Sequence, residues 1–476
     1  MILSTAALAT MAIVTQNAAP LRASPRDAAT QQAVLWQGEM LEVRGERLDY
    51  LQVYDHRRER AGYIRRAQVR TTSLKADEAP GLLSVMRFLK DTPGAEALGI
   101  GYATAYLQAA PSADITAEPL DALATMAERL ATRASTGAGQ SAPATVSAHL
   151  EVAARLGVAM KTYERDGAMR ICYDGDMYRR VLSMRAAEPD QKARAALGLT
   201  RHDCVDPALR PTERLQHDQW RAQVLDMVPA AGVDPLLANR VRLRRAGVWA
   251  ALAHAQAHRA EDAKPAATRA IEALAGVDKA QLTDDDQADY TEAALRVGAS
   301  RWALEAPIIT PNPGLRITTV PGAPGETCVL LLDARHDAKA PLARRCTYGQ
   351  VWAASASAHP AGTALALAVQ PLATWRELWV FRKPVAGATE WTVDVLPPGT
   401  AQPGVGYIEF AGWVPGAEPR LLAAREVRAE GRQQRRFEVL RLDTLAIDKE
   451  AGTPDLLTAF KRWQDPAWKR ATVSLR

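Results

Sequence analysis

The chain has 476 residues, 47% of them hydrophobic, with 59 basic and 54 acidic side chains giving a net charge of +5. That length exceeds a single core and suits roughly three domains. Both charge signs are interspersed, which argues against a nucleic-acid binder, and no apolar run of about 18 residues is present to span a membrane.

Residues 1–11 read as the remnant of an export signal or a frayed terminus, because Ala7-Leu8-Ala9 is a small-residue cleavage pattern after an apolar stretch. From Ala12 onward short β-runs follow one another closely. Ala12-Ile13-Val14, Leu21-Arg22, Val34-Leu35, Leu41 with Val43, Tyr50-Leu51-Gln52-Val53 and Gly62-Tyr63-Ile64 are separated by Gly, Pro or charged turns. The order of these runs resembles the bacterial Src-homology-3-like (SH3-like) domain of cell-envelope proteins. The resemblance implies a small closed β-barrel over residues 12–72 that binds rather than reacts. It also implies an aromatic-lined groove for an extended ligand, for which Trp36, Tyr50, Tyr54 and Tyr63 are the candidates. The sequence departs from that family at Asp49-Tyr50, where a Gly-Trp pair is usual. Alternation places Tyr50 and Tyr54 on one face of a strand, with Leu51 and Val53 on the other.

Residues 76–305 change to a helical period. Leu82, Met86 and Leu89 mark one helix, and Ile100, Ala103 and Tyr106 a second. A third covers Leu120 to Ala131, and a fourth carries Leu150, Ala153, Leu156 and Met160. Gly99 and Gly101 suggest close helix packing, since the third glycine of a nucleotide loop is missing. Ser135 to Ser141 has linker composition. Arg240 to Leu274 resembles one tetratricopeptide-like helical pair without a second copy in register, so this segment is read as an irregular α-helical domain. Three carboxylates, Asp284 to Asp286, follow Thr283 at a helix start, where they complement the macrodipole.

Pro307, Pro311 and Pro313 mark a second linker. Over residues 315–476 the period returns to two, and two segments look alike. One starts at Pro360 and reaches Val380; the other starts at Pro415 and reaches Val439. This pattern resembles the blades of a β-propeller and implies successive antiparallel meanders, with Val380 and Val439 at equivalent places. Seven of the 11 tryptophans fall in this region, where they are expected mostly as packing.

Four cysteines allow three pairings. The local solution, Cys172 with Cys204 and Cys328 with Cys346, keeps each bridge within one segment and fits an oxidising compartment. His254 and His258 lie four apart on a helix without the glutamate of a zinc-protease motif, and no metal or other cofactor is expected. Arg425, Arg428, Arg432, Arg435 and Arg436, interleaved with glutamates, suit a solvated hairpin. The fold class expected is therefore multidomain α and β: an SH3-like barrel, a helical domain and propeller-like β meanders. The function expected is non-catalytic binding or scaffolding in the periplasm or cell envelope. The partner would be peptidoglycan or an envelope protein. The competing classes are a cell-wall hydrolase with an unrecognised site and, were the thiols free, a cytosolic adaptor.

Overall fold

The structure is a computed structural model that describes residues 10–136, 144–165, 167–305, 314–383, 389–400, 404–429 and 432–469. The expected leader and most of both expected linkers, at 137–143 and 306–313, lie outside the described residues; Ser135 and Thr136 still belong to a helix. Contacts gather the chain into two compact units, residues 1–213 with 223–237 and residues 214–222 with 238–476. The whole is mixed α and β with antiparallel sheets.

The first unit opens with β1 (Met11–Val14), β2 (Ala19–Arg22), β3 (Gln31–Leu35), β4 (Met40–Arg47), β5 (Tyr50–Asp55), β6 (Arg60–Arg65) and β7 (Val69–Thr72). They form one sheet in the order β3-β2-β6-β5-β4-β1-β7. Among the described residues no pairing joins β3 to β7, so the sheet is open where a closed barrel was expected. Packing takes over at its ends. Ala12 and Val14 of β1 fill the sheet's own core with Leu21, Leu41, Leu51 and Ile64. Ile13, pointing the other way, enters the core of the following helices with Met86, Ile100 and Met126. A strand buried on both faces thus ties the sheet to the helices.

Those helices are α1 (Ala79–Lys90), α2 (Glu96–Ala109), α3 (Ala117–Thr136) and α4 (Ala144–Arg155). Gly99 of α2 has the helix-packing role expected of it, while Gly101 packs instead against the turn between β3 and β4. A Cβ on Gly99 would lie 2.2 Å from Met126 Sδ, and one on Gly101 would lie 2.9 Å from the backbone of Gly38. The fourth helix stops sooner than its apolar spacing suggests. Gly157 takes φ +85°, the left-handed conformation that ends helices. Met160 then begins β8 (Met160–Arg165), which pairs with β9 (Ala168–Tyr173), Met160 opposite Tyr173. Next come α5 (Asp176–Ser183), α6 (Pro189–Leu199) and α7 (Pro211–Asp226). Cys172 of β9 is bonded to Cys204, with Cα atoms 5.8 Å apart.

In the second unit α8 (Pro235–His258), α9 (Lys264–Ala275) and α10 (Asp284–Ser300) share a core of Leu243, Ala246, Leu274, Ala293 and Val297. Thr283 caps α10 as expected, its hydroxyl accepting from the Asp286 N–H, with all three aspartates in the first turn. A small antiparallel sheet follows, of β10 (Arg316–Pro321), β11 (Thr327–Leu332) and β12 (Ala343–Thr347). Cys328 and Cys346 are directly opposite each other in it and are disulfide-bonded. A larger sheet comprises β13 (Gln350–Val351), β14 (Ser357–Ala358), β15 (Ala364–Leu372), β16 (Trp375–Arg382), β17 (Thr392–Leu396), β18 (Val405–Val414), β19 (Arg420–Ala429), β20 (Arg432–Arg441) and β21 (Ile447–Ala451).

This sheet is two antiparallel meanders joined by one short parallel step, Trp375 beside Gly406 and Arg376 beside Tyr407. Three cores separate the layers. Leu367 and Phe381 pack toward the small sheet, with Val329 and Leu331. Ala366 and Val380 pack toward the second meander, with Ile408, Leu421 and Leu440. Leu422 and Val439 face onward again, under Leu457, Phe460 and Trp468 around α11 (Thr458–Trp463). Val380 sits opposite Ala366 in the core between the two meanders, and Val439 opposite Leu422 in the core under α11.

Candidate functional site

Aromatic, cationic and acidic side chains come together in both units. The first place is the outer face of the N-terminal sheet. On β5, Leu51 and Val53 enter the core, which leaves Tyr50, Gln52 and Tyr54 on the opposite face. Strand β6 places Arg65 opposite Tyr50 and Tyr63 opposite Gln52. Strand β4 places Arg47 opposite Tyr50 and Glu42 opposite Tyr54. Arg22 of β2 lies opposite Tyr63. Three of the four expected groove residues, Tyr50, Tyr54 and Tyr63, therefore share a face. Trp36 does not join them. It follows β3 and meets His149 of α4 edge-on, ring centroids 6.5 Å apart, while His149 Nε2 is 2.7 Å from Asn17 Oδ1.

Each tyrosine has different company. Tyr50 is 5% exposed and donates its hydroxyl to Asp27 Oδ1 at 2.6 Å. Asp27 also receives Arg65 Nε at 2.9 Å, and these two bonds, Arg65 first, hold its carboxyl at about 2. The bond to Asp27 raises the Tyr50 hydroxyl. A bulge in β4 between Val43 and Gly45 turns Arg44 over the Tyr54 ring, its guanidinium carbon 3.8 Å from the centroid. His56 meets the same ring edge-on at 4.9 Å. Arg44 and then His56 also lower the carboxyl of Glu42. Tyr63 is half-buried and has no hydrogen bond or ring contact among the described residues. The face thus presents one unengaged tyrosine between two held in place by cations and carboxylates.

The second place was not apparent from sequence. One face of the second meander and helix α10 enclose a cleft of about 300 Å³. Tyr407 lies opposite Glu426, and Glu426 opposite Arg435, so all three share that face. Tyr407 donates its hydroxyl to Glu426 Oε2 at 2.9 Å, and Arg435 Nη2 reaches Glu426 Oε1 at 3.2 Å. Glu409, two residues along from Tyr407, accepts from Arg376 Nη2 at 2.6 Å and from Trp468 Nε1 at 2.9 Å. Arg376 is fully buried, gives Nη1 to the Gly298 carbonyl at 2.8 Å, and is pulled below its ordinary pKa by that burial. Arg301, only 7% exposed, also reaches Glu409, at 3.4 Å. Such a constellation can hold a charged or hydrogen-bonding molecule in partial exclusion from water.

The other groups singled out from sequence have structural partners. Arg425, Arg428, Arg435 and Arg436 pair with Glu438, Glu292, Glu426 and Glu450 respectively; the side chain of Arg432 lies outside the described residues. His254 and His258 stack on each other, centroids 6.2 Å apart. Glu326, Cys328 and Cys346 bring three ligand-type atoms within 4.8 Å, but both sulfurs are bound in the disulfide. Among the described residues no helix is long and apolar enough to cross a membrane. Comparison with protein-family models, with curated proteins and with solved structures finds no match to this chain.

Proposed function

We propose that the chain is an exported, non-catalytic binding or scaffold protein of the cell envelope. In this reading its N-terminal sheet is an SH3-like module, and its C-terminal meanders are propeller-like blades that supply a second surface. The module takes an extended peptide, either a peptidoglycan stem peptide or a segment of an envelope protein. The observation that carries the reading is the shared face of Tyr50, Tyr54 and Tyr63, interleaved with Arg22, Arg47 and Arg65. Tyr54 and Tyr63, beside arginines, supply stacking area and carboxylate recognition at low entropic cost, while the buried Tyr50 braces the face. Two disulfides are compatible with an extracytoplasmic location.

The test is co-sedimentation of the full chain with purified peptidoglycan, and pull-down of peptidoglycan-free envelope proteins, for the parent, Tyr63→Ala and Tyr54→Ala. Loss of about 2 kcal/mol at a hot spot weakens binding roughly thirtyfold. The reading expects that loss for Tyr63→Ala with an unchanged melting temperature. It is abandoned if the parent binds neither material, or if both variants bind as the parent does.

A further inference from the structure

We infer that the cleft between α10 and the second meander is a binding site for a small organic carboxylate that also carries hydroxyl or ammonium donors. Three cations line the cleft, Lys279, Arg301 and Arg435, against two carboxylates, Glu409 and Glu426. Arg376 stands directly behind and takes the nearer share of Glu409, at 2.6 Å against 3.4 Å for Arg301. Two buried guanidiniums therefore share Glu409, and Arg301 has in addition the more distant charge of Glu305, whose own carboxyl burial raises. A buried cation without its own counter-charge is costly.

Arg301 bears that cost visibly. Its Nε is buried with no hydrogen-bond acceptor, and its guanidinium carbon rests 4.6 Å over the ring of Trp302. The rotation and desolvation of this side chain are complete before any ligand arrives, which is the preorganisation that favours a planar carboxylate. At the rim Lys279 pairs with no carboxylate among the described residues; its ammonium lies 4.9 Å over the Tyr290 ring. Lys279 and Arg301 together offer the cleft an excess of positive charge at both its mouth and its depth.

The two glutamates narrow the ligand class. Glu426, held by Tyr407 and Arg435, and Glu409 would repel the double charge of a phosphate. A single carboxylate restores balance, and the glutamate oxygens are acceptors for donors elsewhere on the same molecule. Size agrees: about 300 Å³ is at the lower end for small-molecule pockets and equals about ten water-sized volumes. An amino acid or a hydroxylated sugar acid fits.

The experiment is isothermal titration of the disulfide-intact full chain with L-glutamate, D-alanine and D-glucuronate, and with inorganic phosphate and choline as controls. At least one carboxylate is expected to bind with unit stoichiometry, with neither control matching it. Lys279→Gln, at an exposed position, should weaken that binding about two- to fivefold, the worth of an exposed ion pair. Arg301→Gln should weaken it at least tenfold. Should Arg301→Gln fail to fold, the Lys279→Gln result decides. Tyr63→Ala should leave the titration unchanged, which separates this site from the peptide-binding face of the first unit. The inference falls if no carboxylate binds, if phosphate binds as tightly, or if Lys279→Gln binds as the parent does.

Discussion

The tyrosine face of the first unit and the cleft of the second use the same residue types to opposite ends. On the face, Arg44 and Arg65 lie over rings at or near the surface, where water screens them and breaking a contact costs little. In the cleft, Arg376 and Arg301 are taken out of water and share Glu409. An exposed cation–π contact contributes about 0.5–1 kcal/mol. A buried charge stripped of its partner costs about 3–5 kcal/mol. The lesson is that exposure decides what an arginine's contact is worth: little where water screens it, and several times more where it is buried.

That contrast breaks first at Arg376. Arg376→Met should lower the unfolding free energy of the second unit by about 1–3 kcal/mol in denaturant titration, because Glu409 keeps the longer pairing with Arg301 among its cations and the Gly298 carbonyl loses its donor. Adding Glu409→Gln to that variant should recover part of the loss, since the two sites are coupled. Equal stability of Arg376→Met and the parent would end the comparison.

The bridges allow each unit to be weakened separately. Cys172→Ser with Cys204→Ser should cost the first unit about 3 kcal/mol by the chain-entropy model, leaving the unfolding of the second unchanged. A matching loss in both transitions would mean that the units do not unfold independently.

A third test uses acid. Burial, and then His258, hold His254 of the second unit at about 4, against an ordinary 6.5. The unfolded chain takes up this proton at higher pH than the folded one. Stability is therefore greatest above 6.5, falls as pH drops toward 4, and levels off below that value. The His254 part of the loss should be on the order of 2 kcal/mol in thermal melts and should vanish in His254→Gln, leaving the part due to His359, which burial also lowers. Asp27 on the tyrosine face, held at about 2, does not titrate in this window.

The smallest effects are expected on the face itself. Trp36→Ala should lower the melting of the first unit, by about 1–2 kcal/mol, because the ring packs against His149. Tyr54→Ala should cost less than about 1 kcal/mol, the worth of its exposed contact with Arg44. A larger loss at Tyr54 than at Trp36 would reverse the assignment of the two residues.

Sequence showed most where the cause is local. Alternation over five residues was enough to separate Tyr50 and Tyr54 from Leu51 and Val53. Chain proximity pointed to both disulfides, and Thr283 with its three aspartates to the start of α10. Where a single backbone conformation decides, the apolar pattern misled. Gly157 ends α4 although Leu156 and Met160 continue the helical spacing. The bulge that sends Arg44 over Tyr54 has no periodic signature at all. The cleft was the least legible, because Arg301, Arg376 and Glu409 arrive from a helix end and from two strands in parallel register. One trace was present: Glu409 is the single charge in the run Tyr407 to Trp413, and Arg376, next to Glu377, sits directly before the apolar run Leu378 to Phe381. A charge at such a position needs a buried partner.

The last described segment of the chain has a consequence for biosynthesis. Leu457, Phe460 and Trp468 cover Phe437 and Val439, and Trp468 supplies one of the hydrogen bonds to Glu409. A ribosome or translocation channel releases the chain from its beginning, so strands β18 to β20 emerge before the residues that roof them. Until Trp468 is free, the nascent second unit carries an uncovered apolar sheet and a Glu409 short of one of its hydrogen-bond donors. Premature termination anywhere before Leu457 would make that waiting state permanent, and would turn a folding intermediate into a substrate for proteolysis.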